Sequence, residues 1–153
     1  LYDITLHAQG EHAKRLWMEA PGLAFNPMVT HEMIEEGMMY PKMDGRFVFK
    51  HAVTRMPEVL MHSLQVAGFS LDDVDHFLFH QANLRINQMV AQRLKIPAQK
   101  VPSNIERFGN TSAATIPTLL AEGVRDGRIQ RGDLIAMAGF GSGFTWGGGV
   151  LRY

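Results

Sequence analysis

The chain has 153 residues, 46% hydrophobic and 20% charged, a composition that fits one ordinary globular domain and excludes disordered, collagen-like and fibrous chains. It contains no cysteine, which removes disulfides, thiolate metal sites, iron–sulfur clusters and a cysteine nucleophile from these residues. Lys plus Arg equals Asp plus Glu at 15 each, yet residues 1–79 hold six basic against eleven acidic groups, residues 80–110 five against one, and residues 111–153 four against three.

No apolar run approaches the about 18 residues of a membrane helix. The start, Leu1-Tyr2-Asp3, has neither an initiator Met nor a basic stretch followed by an apolar one. A soluble, cytoplasmic chain is expected, one that begins inside something larger. The basic middle third, with Arg85, Arg93, Lys95, Lys100 and Arg107, reads either as a site for an anionic partner or as a solvated helix face. Nucleic acid is disfavoured, because the total charge is neutral and no stacking aromatics are interleaved with these cations.

Residues 1–8 alternate as a strand, with Ile4 and Leu6 on one face and a Gln9-Gly10 turn after it. Residues 11–45 form an irregular insertion containing Pro21, Gly22, Pro27, Gly37 and Pro41 together with Met28, Met33, Met38, Met39 and Met43. Methionine fills irregular apolar gaps, so the segment either lines a pocket for a chain-like ligand or packs beneath a long loop. Residues 47–67 carry Phe49, Val53, Met56, Leu60 and Leu64 at helical spacing; Gly68 is a natural stop and Pro57 predicts a kink.

A short buried strand follows in His76-Phe77-Leu78-Phe79-His80, then a helix over 82–94 built on Leu84, Ile86, Met89, Val90 and Leu94. A short extended piece is expected near Val101. Asn110-Thr111-Ser112 offers an N-cap to a helix that runs to about Asp126, kinked at Pro117 and closed by Gly127. Strands over 133–139 and 145–153 are joined by the Gly141-Ser142-Gly143 turn. This order predicts an α/β layer: a mixed, largely parallel sheet with helices on its faces, finishing in an antiparallel pair.

His76 and His80 have the i, i+4 spacing of a helical metal pair, but on a strand they stand about 13 Å apart and cannot share an ion, so no metal site is expected. His80 ends a buried strand and precedes a helix, the place where open α/β sheets bind ligands. The neighbouring helix N-terminus would favour a neutral imidazole that donates one hydrogen bond. Its other reading is a capping or packing residue. Asn110 likewise reads as a functional amide or as a plain turn former. The Gly139–Gly143 stretch has neither phosphate-loop spacing nor a following helix, though such a turn can aim a backbone N–H at a reacting oxygen. Gly147-Gly148-Gly149 permits close backbone approach.

Three pieces stand together in order: His80-Gln81-Ala82-Asn83-Leu84-Arg85, Gly109-Asn110-Thr111-Ser112-Ala113-Ala114, and Gly139-Phe140-Gly141-Ser142-Gly143-Phe144-Thr145-Trp146-Gly147. They resemble the C-terminal half of the β-ketoacyl-acyl carrier protein synthase III family, condensing enzymes of the thiolase superfamily. The match covers nearly the whole chain and is firmest from about Met43 onward. The resemblance implies a thiolase-like fold whose N-terminal half, absent here, carries the nucleophilic cysteine. It also implies an acyl transfer from coenzyme A to that cysteine, followed by decarboxylation of malonyl-acyl carrier protein and attack of the carbanion.

By the same resemblance His80 and Asn110 are the catalytic His and Asn, two neutral donors to an enolate, each worth about 3 kcal/mol of barrier lowering. The Ser142 backbone belongs to the oxyanion hole, at a position where the family usually has Gly. Gln81, Ala82, Asn83, Leu84 and Arg85 would meet the carrier protein, with Arg85 the main charge. Met43, Phe49, Ala82 and Asn83 would line the pantetheine tunnel. Acyl-CoA and malonyl-acyl carrier protein are then substrates with no further cofactor, and the complete subunits form a dimer. The alternatives are an ester- or amide-forming acyltransferase of the same fold, or a non-catalytic partner subunit.

Overall fold

The computed structural model describes residues 1–153. Its centre is a four-stranded sheet in the order β1-β6-β5-β4, with β1 at Asp3–Ala8, β4 at His76–Phe79, β5 at Leu134–Gly141 and β6 at Thr145–Arg152. The sheet is mixed, as expected, but only β4–β5 is parallel; β5–β6 and β1–β6 are antiparallel. The parallel share is smaller than the strand–helix alternation suggests, because the last strand inserts between β5 and β1. Strand pairing of this kind joins segments at opposite ends of the chain, which local periodicity does not register.

Helix α2, Gly45–Ala67, lies across one face of the sheet. It starts two residues before the apolar stripe because the Asp44 side chain accepts the Phe47 N–H at 3.1 Å, satisfying one of the free first-turn donors. Gly68 ends it in the left-handed conformation at φ +78°. The stripe buries Val53, Met56, Val59, Leu60 and Leu64 against Phe77, Phe79, Ala136, Ala138 and Val150 of the sheet. Gly148 lets the two layers close: a Cβ there would meet the Val59 carbonyl oxygen and the Ser63 Oγ, each at 3.1 Å.

Pro57 leaves the Val53 carbonyl without its i+4 amide, and α2 nevertheless runs through it as one helix. The guanidinium of Arg93, from helix α3 (Leu84–Leu94), donates to that carbonyl at 2.7 Å. Helix α3 packs beside α2 and adds Ile86, Val90 and Ala91 to the same core. On the opposite face, helix α5 (Thr115–Arg125) sets Leu119 against Leu78, Ile129 and Ile135. Pro117 is the third residue of α5, in the first turn, where its missing N–H removes no helical bond; the expected kink has no cause there.

The 11–45 insertion is less irregular than expected. It holds a 3-10 turn over Gly10–Arg15, a short helix α1 (His31–Glu35) capped by Thr30, and strands β2 (Leu16–Trp17) and β3 (Lys42–Met43) that pair and close it. No strand forms near Val101; a 3-10 turn at Ala98–Lys100 is followed by a loop and the one-turn helix α4, Ile105–Phe108. No helix is long and apolar enough to cross a membrane. Beyond β6, the edge strand β1 leaves Ile4 and Leu6 exposed at 58% and 77%.

Candidate active site

The carboxyl ends of β4 and β5, the turn before α5 and the start of α2 surround an open cavity of about 1240 Å³. His80, Asn110 and Ser142 all line it, and so do Met43, Phe49, Ala82 and Asn83. Of the six methionines in the 11–45 insertion, Met43 alone reaches the cavity wall. A space of this size accepts a chain-like ligand rather than a single small group.

His80 follows the last residue of β4, and its backbone N–H continues the strand ladder to the Ala138 carbonyl at 3.0 Å. Its imidazole is half-buried, and burial holds the ring below the ordinary histidine pKa, so it is neutral at pH 7. Nδ1 lies 2.6 Å from the Oγ1 of Thr115, the first residue of α5, which is itself buried. Thr115 carries no local signal in the sequence, since nothing short-range couples positions 35 residues apart. His76, one strand length away, faces Asp133 at 3.3 Å instead. No three His, Asp or Glu side chains converge on a common point.

Asn110 forms a tight turn whose side-chain Oδ1 accepts the Ser112 N–H at 2.9 Å. Ser112 takes φ +54°, one of two non-glycine residues in the left-handed region, and it too lines the cavity. With the oxygen engaged, the Asn110 amide nitrogen is the end left to donate. Asn110 does not cap α5 directly; a 3-10 turn, Ser112–Ala114, intervenes.

The turn carrying Ser142 joins β5 to β6 and is pinned from two sides. Phe144 exchanges backbone hydrogen bonds with Gln9 at 3.0 and 2.8 Å, and its ring is fully buried against Phe140, Phe47 and His51. Ser142 does not lie in the left-handed region; that conformation falls on Gly143, at φ +132°. A Cβ at position 142 is therefore compatible with the backbone, and the Ser142 N–H remains a candidate donor beside the cavity.

The stretch after His80 divides by exposure. Ala82, Asn83 and Arg85 are exposed, and Asn83 caps α3 by accepting the Arg85 N–H at 2.9 Å. Gln81 does not fit a surface contact: it is fully buried, donates to the Phe79 carbonyl at 2.8 Å and accepts from Ser103 Oγ at 3.1 Å. Leu84 is half-buried and lines a separate, smaller cavity. Nor do the five cations of the middle third form one patch. Arg93 serves Val53, Lys100 donates to the Val74 carbonyl, and Arg107 pairs with Glu122 at 2.9 Å. Arg85, next to Asn83 at the cavity edge, makes no ion pair.

The family model described as 3-Oxoacyl-[acyl-carrier-protein (ACP)] synthase III C terminal matches residues 64–153. A beta-ketoacyl-[acyl-carrier-protein] synthase III from Synechococcus sp. (strain WH7803) is 51% identical over the whole chain, which covers 45% of that protein. The counterpart from Roseiflexus castenholzii is 42% identical, with 100% of this chain and 46% of the relative covered. Among solved structures, the 3-oxoacyl-(acyl carrier protein) synthase III of Pseudomonas aeruginosa PAO1 superposes with a TM-score of 0.86 at 37% identity, covering 100% of this chain and 44% of that one. The chain spans less than half the length of these relatives. With a thiolase-like fold and a family match over its C-terminal 90 residues, the chain belongs to the 3-oxoacyl-[acyl-carrier-protein] synthase III family, as its C-terminal half.

Proposed function

We propose that this chain supplies the decarboxylation half of a Cys-His-Asn condensing site, acting with an N-terminal half that carries the cysteine. The observation that carries the reading is that His80 and Asn110 each have one polar end engaged, by Thr115 and by Ser112, while both line the same cavity. In the first stage the cysteine thiolate takes an acyl group from acyl-CoA, releasing the coenzyme A thiol. In the second, the bond between the malonyl carboxylate carbon and the methylene breaks, CO2 leaves, and the electron pair moves onto the thioester oxygen as an enolate. Two neutral donors stabilise that oxygen without protonating the carbanion. The carbanion then attacks the acyl-cysteine, whose oxyanion the Ser142 N–H helps hold, and the thiolate leaves.

Malonyl-acyl carrier protein is the extender, and Arg85, Asn83 and Ala82 meet the acidic carrier at the cavity mouth, with Met43 and Phe49 along the pantetheine arm. The product is a β-ketoacyl-carrier thioester of fatty acid or related polyketide synthesis, made in the cytoplasm by a dimer of complete subunits. No bound cofactor is required beyond the two thioester substrates. The test uses the assembled protein, both halves present. His80→Ala and Asn110→Ala abolish CO2 release from malonyl-carrier while acyl transfer to the cysteine persists; equal loss of both steps overturns the assignment. This chain alone, incubated with acyl-CoA, shows no thioester adduct by intact mass.

A further inference from the structure

The Thr115 hydroxyl has one proton and two neighbours. Its Oγ1 is 2.6 Å from His80 Nδ1 and 3.1 Å from the Ser112 carbonyl oxygen. The proton can go to either, and the choice fixes the imidazole. If the hydroxyl donates to Ser112, Nδ1 must carry the ring proton, and a bare Nε2 lone pair is left as the ring's other polar end. If it donates to Nδ1, the ring proton sits on Nε2.

The geometry favours the second arrangement for two reasons. The histidine contact is the shorter by 0.5 Å, and the Ser112 carbonyl already accepts the Thr115 backbone N–H. That carbonyl is satisfied without the hydroxyl, whereas Nδ1 has no other partner in the structure. Thr115 is also well held: it is buried, opens α5, and has a β-branched side chain with few rotamers in a helix.

We propose that Thr115 is a positioning residue that donates its hydroxyl proton to His80 Nδ1 and so holds the imidazole as the Nε2–H tautomer, the form able to donate to an enolate oxygen. The inference rests on the reading of His80 as a donor. It adds that the donor is set by the buried hydroxyl on the other ring nitrogen, and that the imidazole without this partner would be neutral but divided between two forms.

The experiment is ¹⁵N NMR of histidine-labelled assembled protein above pH 7.5, with CO2 release measured on the same samples. In the wild type His80 shows a pyrrole-type Nε2 and a pyridine-type Nδ1; the reverse pattern overturns the proposal without any variant. In Thr115→Val, which keeps the shape and removes the proton, the Nδ1–H form gains population. The turnover number for decarboxylation then falls on the order of 100-fold, the worth of one donor, with the Michaelis constant little changed. Thr115→Ser restores both readouts, and Thr115→Ala is the second deletion should valine disturb folding. A tautomer unmoved by either deletion overturns the proposal. A tautomer that moves while CO2 release does not supports the Thr115 link and overturns the donor role of His80, so the two ideas fail separately.

Discussion

The Arg93 guanidinium donates at 2.7 Å to the carbonyl of Val53, the one backbone acceptor in α2 that Pro57 deprives of an amide. A cation that looks from sequence like part of a binding surface therefore completes a helix. Because the acceptor is buried, Arg93→Met is expected to cost about 1–2 kcal/mol in chemical unfolding. Pro57→Ala returns an N–H to that carbonyl. In a double-mutant cycle the cost of Arg93→Met should shrink in the Pro57→Ala background, and full additivity would disprove the coupling.

Asn110→Asp separates the turn from the chemistry. An aspartate keeps the oxygen that accepts the Ser112 N–H, so the left-handed turn and the thermal midpoint are retained. It loses the amide protons and brings a negative charge towards a developing enolate. CO2 release from malonyl-carrier should fall by about 100- to 1000-fold while acylation of the cysteine continues.

Burial lowers the His80 pKa, and this sets a sign for both stability and rate. Well above pH 6.5 both folded and unfolded forms are neutral, and the full stability is present. As pH falls below the unfolded value, the unfolded chain takes up the proton first, and stability declines until the folded pKa is passed. His80→Gln should flatten the part of the pH–stability curve just below pH 6.5. Decarboxylation should hold through pH 7 and fail only on the acid side of 6.5, where the imidazolium appears.

Arg85 is exposed beside the cavity-lining Asn83 and makes no ion pair, which leaves it available to an acidic partner. Arg85→Ala should raise the apparent Michaelis constant for carrier-bound substrate several-fold at low salt, with the difference fading as ionic strength rises. Lys100→Met and Arg107→Ala, which remove contacts within the fold, should leave that constant unchanged. A salt-independent effect of Arg85→Ala would speak against electrostatic docking.

Gly148→Ala tests how closely α2 lies on the sheet. The added carbon meets the Val59 carbonyl at 3.1 Å, and a helix backbone yields less readily than a side-chain end. A loss of about 1–3 kcal/mol is expected from thermal or urea unfolding. No loss would mean that the layers relax at small cost.

Most of this architecture could be read from periodicity. Strand β4, the stripe of α2, the helix after His80 and the final hairpin all announce themselves within windows of about a dozen residues. What escaped depends on residues far apart in sequence. Asp44 was hidden as a cap because the stripe begins three residues later. Pro117 reads as a helix interior because Asn110 is the stronger cap signal, whereas α5 starts at Thr115 after a 3-10 turn. Gln81 sat in a run of polar and small residues with nothing to mark it as buried, and its partners, Ser103 and Asn104, lie more than 20 positions on. The candidate site was legible through three motifs, but the Thr115 contact that orients His80 was not, since only the fold brings them together.

Strand β1 has a single strand partner, β6, with Asp3 opposite Val150, while Gln9 is tied to Phe144. The two strands of this pair lie about 140 residues apart in sequence. Pairings this distant in sequence belong to slow, high-contact-order folding. The turn bearing Ser142 is fixed by the same distant pairing, through Gln9 and Phe144. His80 is placed by β4 and β5 alone, whereas this chain's share of the cavity wall also needs β6 seated between β5 and β1, so the site depends on long-range pairing as well as on its local motifs.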